Sequence, residues 1–391
     1  MLRASFLKGK HEFMNTTRPQ RDVGIDISRI VAFLFVLCVH FFLNAEFYQQ
    51  PVLGKRMYLM TLLRTVFMTC VPIFMLLTGH LMADRDIEIT PRKLGSFYCR
   101  LFPIWLSYVC STVLICVYRR VVVHDTVSVL GSIANILGFS QYSWYVNMYL
   151  CFAVLIPFLN LIWKGIGSKT GARCLLAALF VLTVLPSILN TFDLTTPGAL
   201  THPWLGETYE HLVPNWWEGL FPMTYYYIGA YLKRYVDLKQ LKTWRLLAAL
   251  ALTVLVSSAA NILRCYSRTF VWGSWQEWGS LQNTVNSVLL FLAINSIRYP
   301  RMPRLVNAAL SRVASLTFAA YLCSWITDDF LYKRLCQRIP VVTSRLNALP
   351  IVVGLSVIGF LLLAFIVQLA VKGLCSARLL WQHKKGAPAG S

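Results

Sequence analysis

An arginine and a histidine, Arg29 and His40, stand eleven positions apart near the start of the chain, and the ten residues between them are apolar or cysteine. Eleven helical steps of 100° return to within about 20° of the starting direction and cover about 16 Å along the axis. The spacing therefore predicts that both side chains lie on one face of a helix. Asp26, about one turn before Arg29, is placed to orient its guanidinium group.

His40 is the first candidate for chemistry, because it lies well inside an apolar helix. An ionisable side chain at such a depth is costly and marks a functional site by default. A neutral imidazole can remove a proton from an attacking hydroxyl, or it can itself carry an acyl group. The alternative is that His40 hydrogen-bonds to a neighbouring helix and serves packing alone.

Two further arginines, Arg64 and Arg100, are predicted at the same membrane depths as His40 and Arg29. Arg64, in the second apolar stretch, is predicted at the depth of His40. It could bind a sugar oxygen or stabilise an oxyanion, or it could snorkel outward or pair with an acid. Arg100 begins the third stretch at the level of Arg29. Two guanidinium groups at one level suit an anion with several phosphates, such as coenzyme A, although ordinary cytoplasmic positive charge is the alternative.

The elements that carry these residues are strongly apolar. Of the 391 residues, 57% are hydrophobic and only 14% are charged, whereas soluble domains carry about a quarter charged residues. The apolar residues form ten runs of about the length that crosses a hydrocarbon core of roughly 30 Å as a helix. The runs are 27–45, 57–82, 101–118, 144–163, 174–192, 217–232, 246–263, 281–297, 310–331 and 349–371. We therefore predict an all-α, polytopic transmembrane helical bundle of about ten transmembrane helices.

The net charge of +21 is distributed unevenly between the connections. If the N-terminus is cytoplasmic, 26 of the 37 Lys and Arg fall in the tails, in the even-numbered connections or at the cytoplasmic ends of the adjoining runs. This positive-inside bias predicts a multi-pass protein of the cell membrane with both termini in the cytoplasm. We expect a cytoplasmic segment 1–26, a transmembrane domain 27–371 and a cytoplasmic tail 372–391. No basic soluble domain remains that could bind nucleic acid, so membrane lipids are the expected surroundings.

A predicted external loop, residues 193–217, has no Lys or Arg but contains three Trp and the acids Asp193, Glu207 and Glu210. Aromatic faces and carboxylates are suited to holding sugar rings, although an interfacial aromatic belt would have the same composition. The eleven Cys lack metal-type spacing, and no Walker or dinucleotide-binding fingerprint is present. We therefore expect neither a metal site nor a nucleotide-driven pump.

Five blocks of sequence, taken in order, resemble the acyltransferase-three family of integral membrane O-acyltransferases. The resemblance includes an Arg, ten residues and a His in the opening block, a Phe-rich run into Thr78–Gly79, and a Trp to Pro block from Trp144 to Pro157. The blocks are GIDISRIVAFLFVLCVHFF from Gly24, VPIFMLLTGHLM from Val71, RLFPIW from Arg100, SWYVNMYLCFAVLIPFLN from Ser143 and LTFAAYLCSW from Leu316. Together they span most of the chain.

The resemblance implies a transferase that takes an acyl group from cytoplasmic acyl-CoA and adds it to an exported or lipid-linked glycan. Acetyl-CoA or another acyl-CoA would be the donor substrate, with no permanently bound cofactor and no metal. The candidate residues are catalytic His40, the donor-binding set Arg29, Arg100 and Asp26, and the acceptor-binding pair Arg64 and Trp144.

The chain departs from the family pattern at two places. Tyr149 and Leu150 stand where the glycan-modifying branch often has Glu, and Ser324 stands where the late block commonly ends in His. The chain also resembles the compact form of the family, without an extracytoplasmic hydrolase-like domain. A glycan exporter or flippase without acyl transfer, and a ligand-binding sensor domain, are the alternative functions.

Overall fold

A computed structural model describes residues 22–137, 144–207, 209–300 and 303–386. Throughout these residues the elements are helices, and the expected all-α class is confirmed for them. In chain order they are α1 Val23–Asn44, α2 Lys55–Phe67, α3 Cys70–Met82, α4 Pro91–Cys99, α5 Phe102–Val121, α6 Val129–Leu137, α7 Trp144–Gly165, α8 Lys169–Thr183, α9 Pro186–Leu189, α10 Phe221–Tyr235, α11 Thr243–Arg264, α12 Leu281–Ser296, α13 Arg304–Leu322, α14 Ser324–Arg338, α15 Val342–Arg345 and α16 Leu349–Gly386. The outer parts of the predicted cytoplasmic segments, residues 1–21 and 387–391, lie outside the described residues, as does Ser143 of the fourth block.

Six segments of the described chain are long and apolar enough to cross a membrane. They are Val23–Gln49, Lys55–Met82, Pro91–Val121, Trp144–Gly165, Thr243–Arg264 and Val342–Ser376. The expected number of about ten is therefore not confirmed, while the multi-pass character is. The remaining apolar runs form shorter or interrupted helices.

Helix breaks explain why several apolar runs fall short. The run 174–192 divides into α8, which ends at Thr183, and α9, which begins at Pro186. Proline cannot donate the helical hydrogen bond to the preceding turn. The 15 residues of α8 extend only about 22 Å at 1.5 Å per residue. The run 310–331 is likewise interrupted at Cys323, between α13 and α14.

The centre of the bundle is α3, which packs against α1, α10 and α12. In its contact with α10 the two helix backbones lie very close together. A Cβ added to Gly79 would overlap the Tyr226 carbonyl, and a Cβ added to Gly229 would overlap the Leu76 carbonyl. The glycine of the Thr78–Gly79 pair is therefore required by this close approach.

We expect Gly79→Ala to destabilise the protein strongly. Overpacking a well-packed site typically costs about 1–3 kcal/mol, and here the obstacle is backbone that cannot rotate away. The melting temperature of the purified protein in detergent measures the effect. Gly354→Ala is the matched control, because an added Cβ at this α16 position meets nothing within 4 Å. Equal melting temperatures for the two variants would contradict the close contact.

Polar contacts at the start of α1 fix its rotation. The Asp22 carboxylate accepts a hydrogen bond from the Gly24 N–H at 2.9 Å and caps the helix. Within the bundle, the Asn295 amide of α12 donates to the Ser28 hydroxyl at 3.0 Å. These contacts determine which face of α1, with Arg29 and His40, points into the protein.

Candidate active site

A cavity of about 440 Å³ lies between α1, α3, α7 and α13. Arg29 and His40 both line it, which confirms that the two side chains share one face of α1. Most of the remaining wall is apolar or aromatic and comes from α3 and the start of α7. Arg29 lies in the first turns of α1 and His40 near its end, so the two groups mark opposite ends of the cavity, about 16 Å apart along the helix.

His40 is hydrogen-bonded to a buried acid. Its Nδ1 lies 2.9 Å from Oδ2 of Asp328 in α14. Asp328 is only 2% exposed and His40 is 8% exposed. The ring of Tyr321, which also lines the cavity, lies beside the imidazole with centroids 6.3 Å apart. A histidine held at Nδ1 by a carboxylate is the arrangement that orients an imidazole for general-base work.

Asp328 was not predicted from the sequence, although a signal was present. Asp328 and Asp329 stand at the end of the apolar run 310–331, and acids within such runs indicate a functional site. Only the packing of α14 against α1 selects the acid that meets His40.

The other end of the cavity is positively charged. Arg29 is paired with Asp26, with Nη1 and Oδ1 3.5 Å apart, as the spacing predicts. Arg85, in the turn after α3, also lines the cavity and is a second residue that sequence reasoning missed. Tyr149 lines the cavity together with both arginines. This end of the cavity can therefore receive an anion.

Arg64 does not line the cavity. It is fully buried and its Nε donates to the Tyr48 hydroxyl at 3.0 Å. Its guanidinium group also packs on the rings of Phe270 and Trp272, 4.4 and 4.6 Å from their centroids. Arg64 therefore faces an aromatic cluster rather than the cavity.

Arg100 also lies apart from the cavity lining. It caps α4 at its C-terminus and is exposed. The structure therefore brings Arg29 together with Arg85, and not with Arg100, at the positively charged end.

Trp144 lines the cavity, at the end where α7 begins. Its indole stacks on that of Trp278, with centroids 5.7 Å apart and planes inclined by 27°. The Tyr225 hydroxyl donates to the Trp278 carbonyl at 2.7 Å and holds this segment in place. The stacked pair is an aromatic surface near the His40 end of the cavity.

The loop that follows α9 is organised by Asp193. Its Oδ1 accepts from the backbone N–H groups of Thr195 and Thr196, and its Oδ2 accepts from the N–H of Glu207. Hydrogen bonds from the side chain and backbone of Thr196, with those from its neighbours, hold the pKa of the Asp193 carboxyl well below its usual range. The carboxylate thus serves the loop's own backbone and stays charged in acidic surroundings.

The fold and the site define a multi-pass helical membrane protein with a cavity-lining histidine that is paired with a buried carboxylate. A family model described as an acyltransferase domain, Acyl_transf_3, matches residues 22–369. The chain belongs to this acyltransferase family, and the resemblance drawn from the five blocks is confirmed. No curated protein and no solved structure matches the chain.

Proposed function

We propose that the protein is an O-acetyltransferase that moves an acetyl group from cytoplasmic acetyl-CoA to a hydroxyl of a cell-surface or lipid-linked glycan. The observation that carries the proposal is the pairing of His40 with buried Asp328 on the cavity wall. Family membership supports acyl transfer in general; the donor, the acyl group and the acceptor are parts of the proposal.

His40 serves as the proton acceptor in this proposal. A neutral imidazole whose Nδ1–H donates to Asp328 has its lone pair on Nε2. The acceptor hydroxyl attacks the thioester carbonyl while its proton passes to Nε2. The tetrahedral intermediate then collapses, the new ester forms, and the departing thiolate takes the proton from the imidazolium. Acyl transfer through His40 itself is the other route, and it requires the same paired imidazole.

The two ends of the cavity suit substrates that arrive from opposite sides. The predicted topology places Arg29 near the cytoplasm, where it would contact donor phosphates, with Asp26 holding the guanidinium group. About 16 Å of helix separates Arg29 from His40, which suits an extended pantetheine arm that carries the thioester to the imidazole. Neither substrate would then need to cross the membrane completely.

Trp144 and Trp278 are the proposed acceptor surface. Aromatic faces bind the C–H faces of sugar rings while leaving the hydroxyls free to react. Their stacked rings lie at the end of the cavity that His40 occupies. We do not place Arg64 or Arg100 in the proposed site, because neither lines the cavity.

Mass spectrometry of cell-envelope glycans, from cells with and without the gene and fed labelled acetate, tests the proposal. We expect the glycan to persist without the gene and to lose labelled ester groups. Loss of the entire glycan from the surface would instead support the exporter hypothesis. Purified protein in liposomes, supplied with labelled acetyl-CoA and the extracted glycan, should restore the ester.

A further inference from the structure

We propose that Arg85 and Arg29 together bind the phosphates of the donor, and that Asn160, oriented by Tyr226, positions Arg85. The inference rests on the proposed function, because it requires a donor with a phosphate-bearing head. It adds a second cation and the residues that hold this cation in place. Arg85 is the binding residue, whereas Asn160 and Tyr226 act through it.

Arg85 stands between two acids, and neither pairs with it. Asp84 accepts hydrogen bonds from Nε and Nη2 of Arg234, at 3.1 and 2.6 Å. Asp86 forms an ion pair with Lys164. Among the ion pairs of the described residues none contains Arg85, whose Nε donates to the Leu81 carbonyl. Its flanking acids are thus paired with other cations, and the exposed Arg85 guanidinium group is available to a ligand in the cavity that it lines.

The turn that carries Arg85 is held from α7. Asn160 is 2% exposed, and its Nδ2 donates to the carbonyls of Met82 and Arg85, at 2.9 and 3.1 Å. Carbonyls in the last turn of a helix, such as that of Met82, lack intrahelical partners. The Asn160 amide group therefore donates hydrogen bonds to two backbone carbonyls, and it fixes the chain where α3 ends.

Tyr226 determines the orientation of that amide. Its buried hydroxyl donates to Asn160 Oδ1 at 2.5 Å, so the Asn160 nitrogen must face the turn. The backbone of Tyr226 is itself pressed against Gly79 of α3. A continuous set of contacts thus runs from the α3–α10 interface through Asn160 to the backbone of Arg85.

The chemistry of the cavity favours a long ligand with several phosphates at one end. Guanidinium groups bind phosphate oxygens in a bidentate manner, and two of them line one end of the cavity. The wall between them and His40 is mainly apolar and aromatic. A coenzyme A thioester has this distribution of charge, whereas a free inorganic phosphate would leave most of the cavity unused.

Two thioester donors separate phosphate recognition from catalysis. The full-length protein in detergent or nanodiscs is assayed with acetyl-CoA and with acetyl-pantetheine, which has the arm but no phosphate. We expect Arg85→Ala to lower the ratio of kcat/KM for acetyl-CoA to that for acetyl-pantetheine by about 10- to 100-fold, because hydrogen bonds to a charged group are lost. Arg85→Lys should recover part of the ratio, since charge remains without the planar fork.

Tyr226→Phe tests the positioning role, and Tyr227→Phe is its control. Tyr227 is equally buried, but its hydroxyl donates to the Leu159 carbonyl at 3.0 Å rather than to Asn160. We expect Tyr226→Phe and Asn160→Ala to raise the KM for acetyl-CoA and to lower the ratio of kcat/KM for acetyl-CoA to that for acetyl-pantetheine. Tyr227→Phe should leave this ratio unchanged. A purely structural role would reduce the use of both donors equally.

Each outcome bears on one proposal. If the wild-type protein prefers acetyl-CoA and Arg85→Ala retains that preference, Arg85 is not a donor residue and the proposed function stands. If the wild-type ratio falls in Arg85→Ala but not in the Asn160 and Tyr226 variants, the positioning role is wrong. If the wild-type protein uses neither thioester and does not bind coenzyme A, the proposed function fails and the donor site fails with it.

Discussion

His40→Gln should give a protein that inserts at normal levels and transfers acetyl groups at close to the background rate. Glutamine keeps the polarity and approximate size of the side chain and can still donate to Asp328, but it has no basic atom. General-base assistance typically contributes 10²–10⁴-fold in rate, so a loss of that order is expected. The initial rate of label transfer from acetyl-CoA to the glycan, normalised to inserted protein, measures it.

His80→Gln is the matched control for this experiment. His80 is also a buried histidine, 7% exposed, but it lies outside the cavity lining, in α3. We expect its glutamine variant to retain transfer activity in proportion to the folded protein recovered. A packing role for His40 would instead leave glutamine tolerated at both positions. Wild-type transfer by His40→Gln would show that His40 is not the base.

The sequence predicted long continuous helices well and interrupted helices poorly. The run 144–163 corresponds closely to α7, and the run 246–263 to α11. The prediction failed where apolar residues continue through a helix break, as between α8 and α9. The hydrophobicity of the residues is nearly the same on both sides of such a break. Hydrophobicity alone therefore does not show where the helix ends. The location of each break depends on the packing of neighbouring helices.

The candidate site shows a corresponding limit. Arg29 and His40 belong to one helix, so helical geometry alone related them. Asp328 is 288 positions from His40, and that pairing follows from how α14 packs beside α1. In the sequence, Arg85 is indistinguishable from other cytoplasmic positive charges. Only the structure shows that its flanking acids pair with other cations. Ser324, where the chain departs from the family pattern, lies one helical turn before Asp328.

Asp328→Asn should produce the second large loss of activity, by about 10²- to 10⁴-fold in kcat, while the affinity for acetyl-CoA stays unchanged. The amide is close to the carboxylate in shape, but its N–H can donate to Nδ1 of His40. That bond favours the tautomer with its lone pair on Nδ1, which leaves Nε2 unable to accept a proton. Replacing the orienting carboxylate by its amide has a comparable effect, about 10⁴-fold, in hydrolases with the same histidine–carboxylate geometry. Single-turnover rates and equilibrium binding of acetyl-CoA separate the two quantities.

Asp329→Asn is the control that distinguishes loss of the carboxylate that orients His40 from loss of any negative charge in α14. Asp329 pairs with Lys333 at 2.7 Å and accepts a hydrogen bond from the Tyr118 hydroxyl, without contacting His40. Its variant should therefore keep kcat. Alanine is unsuitable at Asp328, because breaking a buried pair can itself destabilise a protein by about 3–5 kcal/mol. If Asp328→Asn retains kcat while His40→Gln is inactive, the base works without an orienting carboxylate. If Asp328→Asn loses activity only in proportion to folded protein, the pair holds α14 against α1 and the catalytic interpretation of Asp328 is wrong.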